Sequence, residues 1–366
     1  MLRRCPRQPL GTIRASSSIS HQLRETPGSH LDLEEIDLTL FRAPREQLWV
    51  PPASRAVFGG QVLGQALHAA SRTVEQAFGP HGDRRFTPVS LHSYFLKRGV
   101  PSSDIVYRVR KDADLRSYAS RTVDAIQRGE TIFTMQTQFA RTPSSGLSHA
   151  SEMPSGVPPP EECPSMHDQL TALLARAPAT LQPLIQKQLV APVEVRYACG
   201  VSPDLLEPHP AAQPARQLLW MRIRDPIGRT RLDECCAAYL SDQPLLLTAL
   251  RPHGIQFPSP RLGAIATLDH SMWFHGPFRC DDWLLYEITS PHAGAGRALC
   301  FGHLYRPDTV QLVVSVAQQG VLRLAKPSLA SKAAIAGWRG ANLLEWIRAK
   351  LGLGVAGPAS SSTRIG

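Results

Sequence analysis

The stretch ATLDHSMWFHGPF, residues 266–278, gathers Thr267, Asp269, His270 and His275 with three aromatic residues in thirteen positions. Three kinds of chemistry would use such residues: a hydrolytic site, a metal site, or none, with a strand carrying an aromatic underside. His270 and His275 lie five apart, and no set of Cys or carboxylates at ligand spacing completes a zinc-type site, so no metal is expected. Period-two alternation along a strand sends Thr267 and Asp269 to one face and Leu268 and His270 to the other. Met272, Trp273 and Phe274 then read as core and tunnel wall, and Asp269 as a local structural group. The adjacent Cys235 and Cys236 read as buried thiols on the approach to a helix, not as nucleophiles.

Composition narrows the partners. The 366 residues suffice for two domains, and 43% hydrophobic content supports real cores. The formal net charge is +10, which points to an anionic partner. There is no Lys/Arg block of the nucleic-acid kind and no zinc-finger spacing, so a phosphate-bearing small molecule fits as well as a polymer, and no nucleic-acid partner is assigned. Seven Cys, an odd number with no CxxC, indicate unpaired thiols in a reducing compartment. No apolar run is long enough to span a bilayer, so no stable membrane insertion is expected. The first 24 residues carry five Arg, several Ser and no acid. That suits a mitochondrial presequence as well as a basic tail. The last three residues are Arg-Ile-Gly rather than the Ser-Lys-Leu of a peroxisomal signal.

The stretch LDLEEIDLTLFR (31–42) predicts a short amphipathic helix. In 58–74 (FGGQVLGQALHAASRTV), Val62, Leu63, Ala66, Leu67 and Ala70 keep helical spacing. Gly59, Gly60 and Gly64 would let that helix approach another backbone closely. Strands follow at 89–99, 104–114, 117–129 and 131–141, with a hairpin turn at Arg128-Gly129. Residues 142–165 have linker composition, and 166–190 can be helical. A second block opens at 193 with two strands, a helix around 232–250, and strands from 264 to 325. The blocks align at a nearly constant offset of about 180 residues, laying Ala66-Leu67 on Ala249-Leu250, His92-Ser93 on His270-Ser271 and Gln138 on Gln318. This predicts a duplicated unit of one helix and five or six strands. A helix and an antiparallel sheet bury both apolar faces only if the sheet curls around the helix. The expected class is therefore α+β, a tandem (double) hotdog. Its divisions are 1–31, a basic tail or presequence; 32–145, the first hotdog; 146–192, a Pro-rich linker; 193–325, the second hotdog; and 326–366, an extension.

The motifs FGGQVLGQALHAA, LHSYFLKRG, YLSD (239–242), RPHGI (251–255), LDHSMWFHGPFRCDDWLLYE (268–287) and VAQQGVLR (316–323) together resemble the acyl-CoA thioesterase II family over residues 32–325. The resemblance implies a double hotdog that hydrolyses fatty acyl-CoA without a cofactor, a homo-oligomer as the assembly, and a peroxisomal address. It implies three catalytic positions: Asp242 in YLSD, Thr267 two residues before Asp269, and Gln318 in QQG. Here the tunnel wall at Met272–Phe274 would face the acyl chain. The sequence departs from the pattern in its Arg-rich N-terminus, in RPDTVQL, which lacks Gly after Asp308, and in its run beyond 325.

Thioester hydrolysis needs a water made nucleophilic and a donor for the developing oxyanion; a thiolate leaves readily without a strong acid. Asp242 precedes QPLLLTAL with Pro244 suited to a first turn, which puts it near a helix N-terminus that favours the ionised form. Taken without the resemblance, Asp242 reads as a plain N-cap, Thr267 as an ordinary strand residue and Gln318 as a satisfied polar group. Gly59 aligns with Asp242 in the first block, so only the second block carries the acid. Gly59 and Gly60, with bare backbone at a helix start, are candidate substrate-binding donors for the oxyanion. Two other readings stay open: a hotdog hydratase or dehydratase using a His/Asp pair, with His92 and His270 in matching strands, and a non-catalytic acyl-CoA binder.

Overall fold

The computed structural model describes residues 30–325, apart from 53, 80–85, 142–145, 178, 180–181, 199–209, 225–231, 258 and 260. The N-terminal basic stretch and the segment after Ala325 lie outside the described residues.

The first half holds β1 (Glu34–Asp37), β2 (Leu40–Ala43), α1 (Gly59–Phe78), β3 (Phe86–Phe95), β4 (Ile105–Asp114), β5 (Tyr118–Gln127) and β6 (Glu130–Arg141). Between the halves lie α2 (Met166–Leu174) and α3 (Gln182–Leu189). The second half holds β7 (Val193–Tyr197), β8 (Arg216–Ile223), α4 (Asp233–Ser241), a 3-10 helix (Leu246–His253), β9 (Leu262–Phe274), β10 (Leu284–Gly294), β11 (Arg297–Arg306) and β12 (Gln311–Leu324). Together the strands make one antiparallel sheet in the order β1-β2-β4-β5-β6-β3-β9-β12-β11-β10-β8-β7. That order reads the same from either edge once each strand of one half is replaced by its counterpart, so the duplication inferred from the sequence is a duplication of topology. β3 and β9 join the halves, with His92 opposite Ser271 and Ser93 opposite His270.

A single apolar core runs through both halves between the curled sheet and the helices. α1 carries Val62, Leu63, Ala66, Leu67, Ala70 and Val74 into it. Its small residues do what their spacing predicts. A Cβ on Gly60 would stand 2.6 Å from the carbonyl oxygen of Tyr239, and one on Gly64 would stand 2.8 Å from that of Cys235. Glycines four apart on α1 thus receive carbonyls four apart on α4, and the two helices touch backbone to backbone. Arg128 and Gly129 adopt φ of 52° and 80°, which makes the β5–β6 turn the expected tight hairpin.

Several expectations are corrected. Residues 32–43 form the β1–β2 hairpin, not a helix. Their apolar spacing is compatible with both, and pairing of Leu40–Ala43 with Ile105–Arg108 of β4 decides it. The central helix of the second half is broken: α4 stops at Ser241 and a 3-10 helix starts at Leu246. Pro244 is the cause, because it lacks an N–H and disfavours helical backbone at Gln243. The aligned residue pairs also fall on opposite faces. His92 is exposed and His270 is buried; Gln138 is exposed and Gln318 is buried. The strands correspond, but a register error of one residue exchanges inside for outside. Trp273, 38% exposed, stands on the outer face against the ring of His92, so it is no part of a tunnel wall. Met272 and Phe274 are core.

Candidate active site

Asp242 sits in the break of the second central helix as the C-cap of α4. It was expected at the N-terminus of its own helix; Pro244 ends that helix rather than starting one. The N-terminus it does meet belongs to α1 of the other half. Phe58, the N-cap of α1, offers no side-chain bond to the helix start, and the Gly60 N–H is directed close enough to the Asp242 carboxylate to lower its pKa. A carboxylate 182 positions away in the chain thus stands at the positive end of α1. Gly59, the residue aligned with Asp242 by the repeat, is in fact its neighbour. A Cβ there would lie 2.9 Å from Asp242 Oδ2 and 3.1 Å from Phe95 Cε1.

Thr267 and Gln318 reach the same carboxylate. Thr267 Oγ1 donates to Asp242 Oδ1 at 3.2 Å, and Gln318 Nε2 donates to that oxygen at 2.9 Å. Gln318 Nε2 also lies 2.5 Å from Thr267 Oγ1, which closes a triangle. Gln318 is fully buried, both amide protons are engaged in this arrangement, and its Oε1 has no partner.

A bulge in β9 makes the triangle feasible. Gln319 pairs with Asp269, but Gly320 pairs with Thr267, so Leu268 is an extra residue. The extra residue reverses the alternation, turning Thr267 inward with Gln318 and leaving Asp269 on the other face. The expected common face of Thr267 and Asp269 is therefore overturned. Asp269 has the structural role expected of it, accepting the Gln319 N–H at 3.0 Å beside the bulge.

Electrostatics set the acid apart. Burial raises the pKa of Asp242 above 3.8, while the bonds from Gln318, Thr267 and Gly60 pull it back down. Desolvation wins, and the result is a more basic carboxylate than a solvated aspartate. Oδ1 accepts from both Thr267 and Gln318, and Oδ2 lies along Gly59. Cys235 and Cys236 are buried in α4, with thiol pKa values pushed up by desolvation, and no nucleophile is formed there. Among the described residues, no group of three His, Cys, Asp or Glu gathers as metal ligands, and no helix is long and apolar enough to cross a membrane. The sequence reading missed Phe95 and Leu246. Phe95 flanks Gly59, and Leu246 packs on Gly320 beside the triangle. Both lie far in sequence from what they touch, and no local pattern marks them.

Two curled half-sheets around paired central helices, with one acid held at their junction, define a double-hotdog thioesterase. Family models agree along most of the described chain: residues 47–140 match the acyl-CoA thioesterase N-terminal domain, and residues 193–321 match acyl-CoA thioesterase. The chain is 39% identical to human acyl-coenzyme A thioesterase 8 over 82% of this chain and 89% of that one. It is 34% identical to acyl-CoA thioesterase 2 of Haemophilus influenzae over 81% and 96% of the respective chains. The crystal structure of acyl-CoA thioesterase II from Mycobacterium marinum aligns with a TM-score of 0.61 at 32% identity, covering 81% of this chain and 98% of that one. The chain belongs to the acyl-CoA thioesterase family.

Proposed function

We propose that the protein hydrolyses fatty acyl-CoA thioesters to free fatty acid and CoA, with a water activated by Asp242, Thr267 and Gln318. The observation that carries this is the closed hydrogen-bond triangle on a desolvated carboxylate, in a chain of this family. The water oxygen attacks the thioester carbonyl carbon while Asp242 accepts a water proton. Thr267 and Gln318 hold the carboxylate and the water in line. As the tetrahedral intermediate collapses, the C–S bond breaks, sulfur keeps the electron pair, and the proton on Asp242 neutralises the thiolate. The Gly59 N–H, at the first position of α1, is the donor toward the oxyanion. The +10 charge suits a ligand bearing the CoA phosphates. Residues 32–145 and 193–325 serve as the two hotdog units, and only the second supplies the acid.

The hydratase reading loses its His/Asp pair, since His92 faces outward and His270 is buried with its pKa lowered to about 3 by desolvation. Acyl-CoAs of graded chain length, assayed in parallel for free thiol and for enoyl absorbance, test the proposal. Thiol release with turnover is expected. Enoyl loss without thiol release, or saturable binding without either, would replace it.

A further inference from the structure

The side-chain triangle fixes the Asp242 carboxylate, but a second group of residues fixes the main chain that carries it. α4 ends inside the protein, and the last carbonyls of a helix have no partner within it. The final one, Ser241 O, accepts from the hydroxyl of Tyr286 on β10 at 3.1 Å. Ser241 Oγ donates to Ala238 O at 3.0 Å and lies 3.0 Å from His270 Nε2 on β9. One hydroxyl proton serves one acceptor well. With it on Ala238 O, the imidazole brings the proton on Nε2, and Nδ1 is left as a bare ring nitrogen. Nδ1 is indeed buried with no partner. Ser241, His270 and Tyr286 are all fully buried. Desolvation holds the imidazole neutral and raises the phenol's pKa, so both remain uncharged donors at any working pH. The space for the Tyr286 ring depends on Gly302, where a Cβ would stand 2.6 Å from the hydroxyl.

We infer that His270 and Tyr286 are positioning residues that converge on Ser241 and hold the break in the second central helix, so that Asp242 stays against Gly59, Thr267 and Gln318. Neither hydrogen-bonds to the triangle; their polar contacts are with Ser241, although His270 is also the cross-strand partner of Gln318. The two strands bring them to Ser241 at its hydroxyl and its carbonyl, so the residue before the acid is fixed at two points. Their neutrality matters, because a cation one residue from Asp242 would lower its pKa and weaken it as a base. This assignment rests on the proposed role of Asp242.

The test is a set of kinetic cycles. Tyr286→Phe keeps the ring and removes only the hydroxyl, so it leaves the fold intact. His270→Leu removes the donor, and His270→Gln restores an N–H near the position of Nε2. Each is measured for kcat and KM in the wild type and in Asp242→Asn. In the wild type, Tyr286→Phe is expected to lower kcat by about 3- to 10-fold and His270→Leu by about 10- to 100-fold, the scale of a small misplacement of a reacting group. KM stays within about twofold and His270→Gln recovers most of the loss. In Asp242→Asn, the same changes are expected to remove little of the residual rate, because they act through a group already disabled. Equal losses in both backgrounds, or unchanged kcat for Tyr286→Phe and His270→Leu in the wild type, would overturn the inference and leave Asp242 in place. Wild-type kcat for Asp242→Asn alone would overturn the role of Asp242 itself and the positioning claim with it.

Discussion

Gly59→Ala is the smallest change that bears on the proposed chemistry. Gly59 is not among the glycines with positive φ, so alanine fits the backbone. At a helical position alanine is favoured over glycine by up to about 1 kcal/mol, and it also reduces the freedom of the unfolded chain. The cost is local. The added methyl would stand 2.9 Å from Asp242 Oδ2, whereas close C···O contacts begin near ~3.3 Å. Phe95 at 3.1 Å can rotate away, but the carboxylate is held on its other oxygen by Thr267 and Gln318. Relief therefore takes a shift of about 0.4 Å in a triangle already closed, and the methyl covers the oxygen left to act as base. Shifts of this kind cost on the order of 10- to 100-fold in rate. The expected outcome is a melting temperature equal to or above wild type with kcat down by that factor. Wild-type kcat in Gly59→Ala would refute the assignment of the reacting side of Asp242.

Gln318→Ala should lower turnover by about 100-fold or more, while Gln138→Ala, on the exposed outer face, should stay within about twofold; equal losses measured by thiol release would contradict the one-sided site. The acid limb of kcat/KM should lie above pH 3.8, because Asp242 must be ionised to accept a proton and burial raises its pKa; a profile flat down to pH 4 would oppose this. The same shift has a stability sign. The folded state holds this proton more tightly than the unfolded state, so wild type should lose stability relative to Asp242→Asn as pH rises through the folded pKa, as denaturant titrations at several pH values would report. Truncation after Ala325 should leave turnover on soluble acyl-CoA nearly unchanged, since β12 and Gln318 precede it; an unfolded or inactive product would place the extension within the catalytic body.

Much of this architecture is legible in the sequence. Helical spacing marked α1, alternation marked β3–β6, and the offset near 180 residues marked the duplication. Those signals are local or periodic. The errors came where one residue decides. Leu268 as a bulge turns Thr267 inward, yet nothing in ATLDH distinguishes a bulged strand from a regular one. The duplication matched the right strands, but a one-residue slip put Gln138 and Gln318 on opposite faces. Asp242 was expected beside a helix N-terminus and is beside one, but the helix belongs to the other half, and the contact with Gly59 and Gly60 spans the whole distance between the repeats. The family resemblance supplied the three residue names; the reasons they meet in space lie in a bulge, a proline break and a pair of glycines.

The most direct measurement is the single-turnover release of CoA thiol from a saturating fatty acyl-CoA by wild type and by folded Asp242→Asn. A lost general base is worth about 10²–10⁴ in rate, so a fall of that size with the substrate still bound is expected. Release at the wild-type rate by Asp242→Asn would contradict the account.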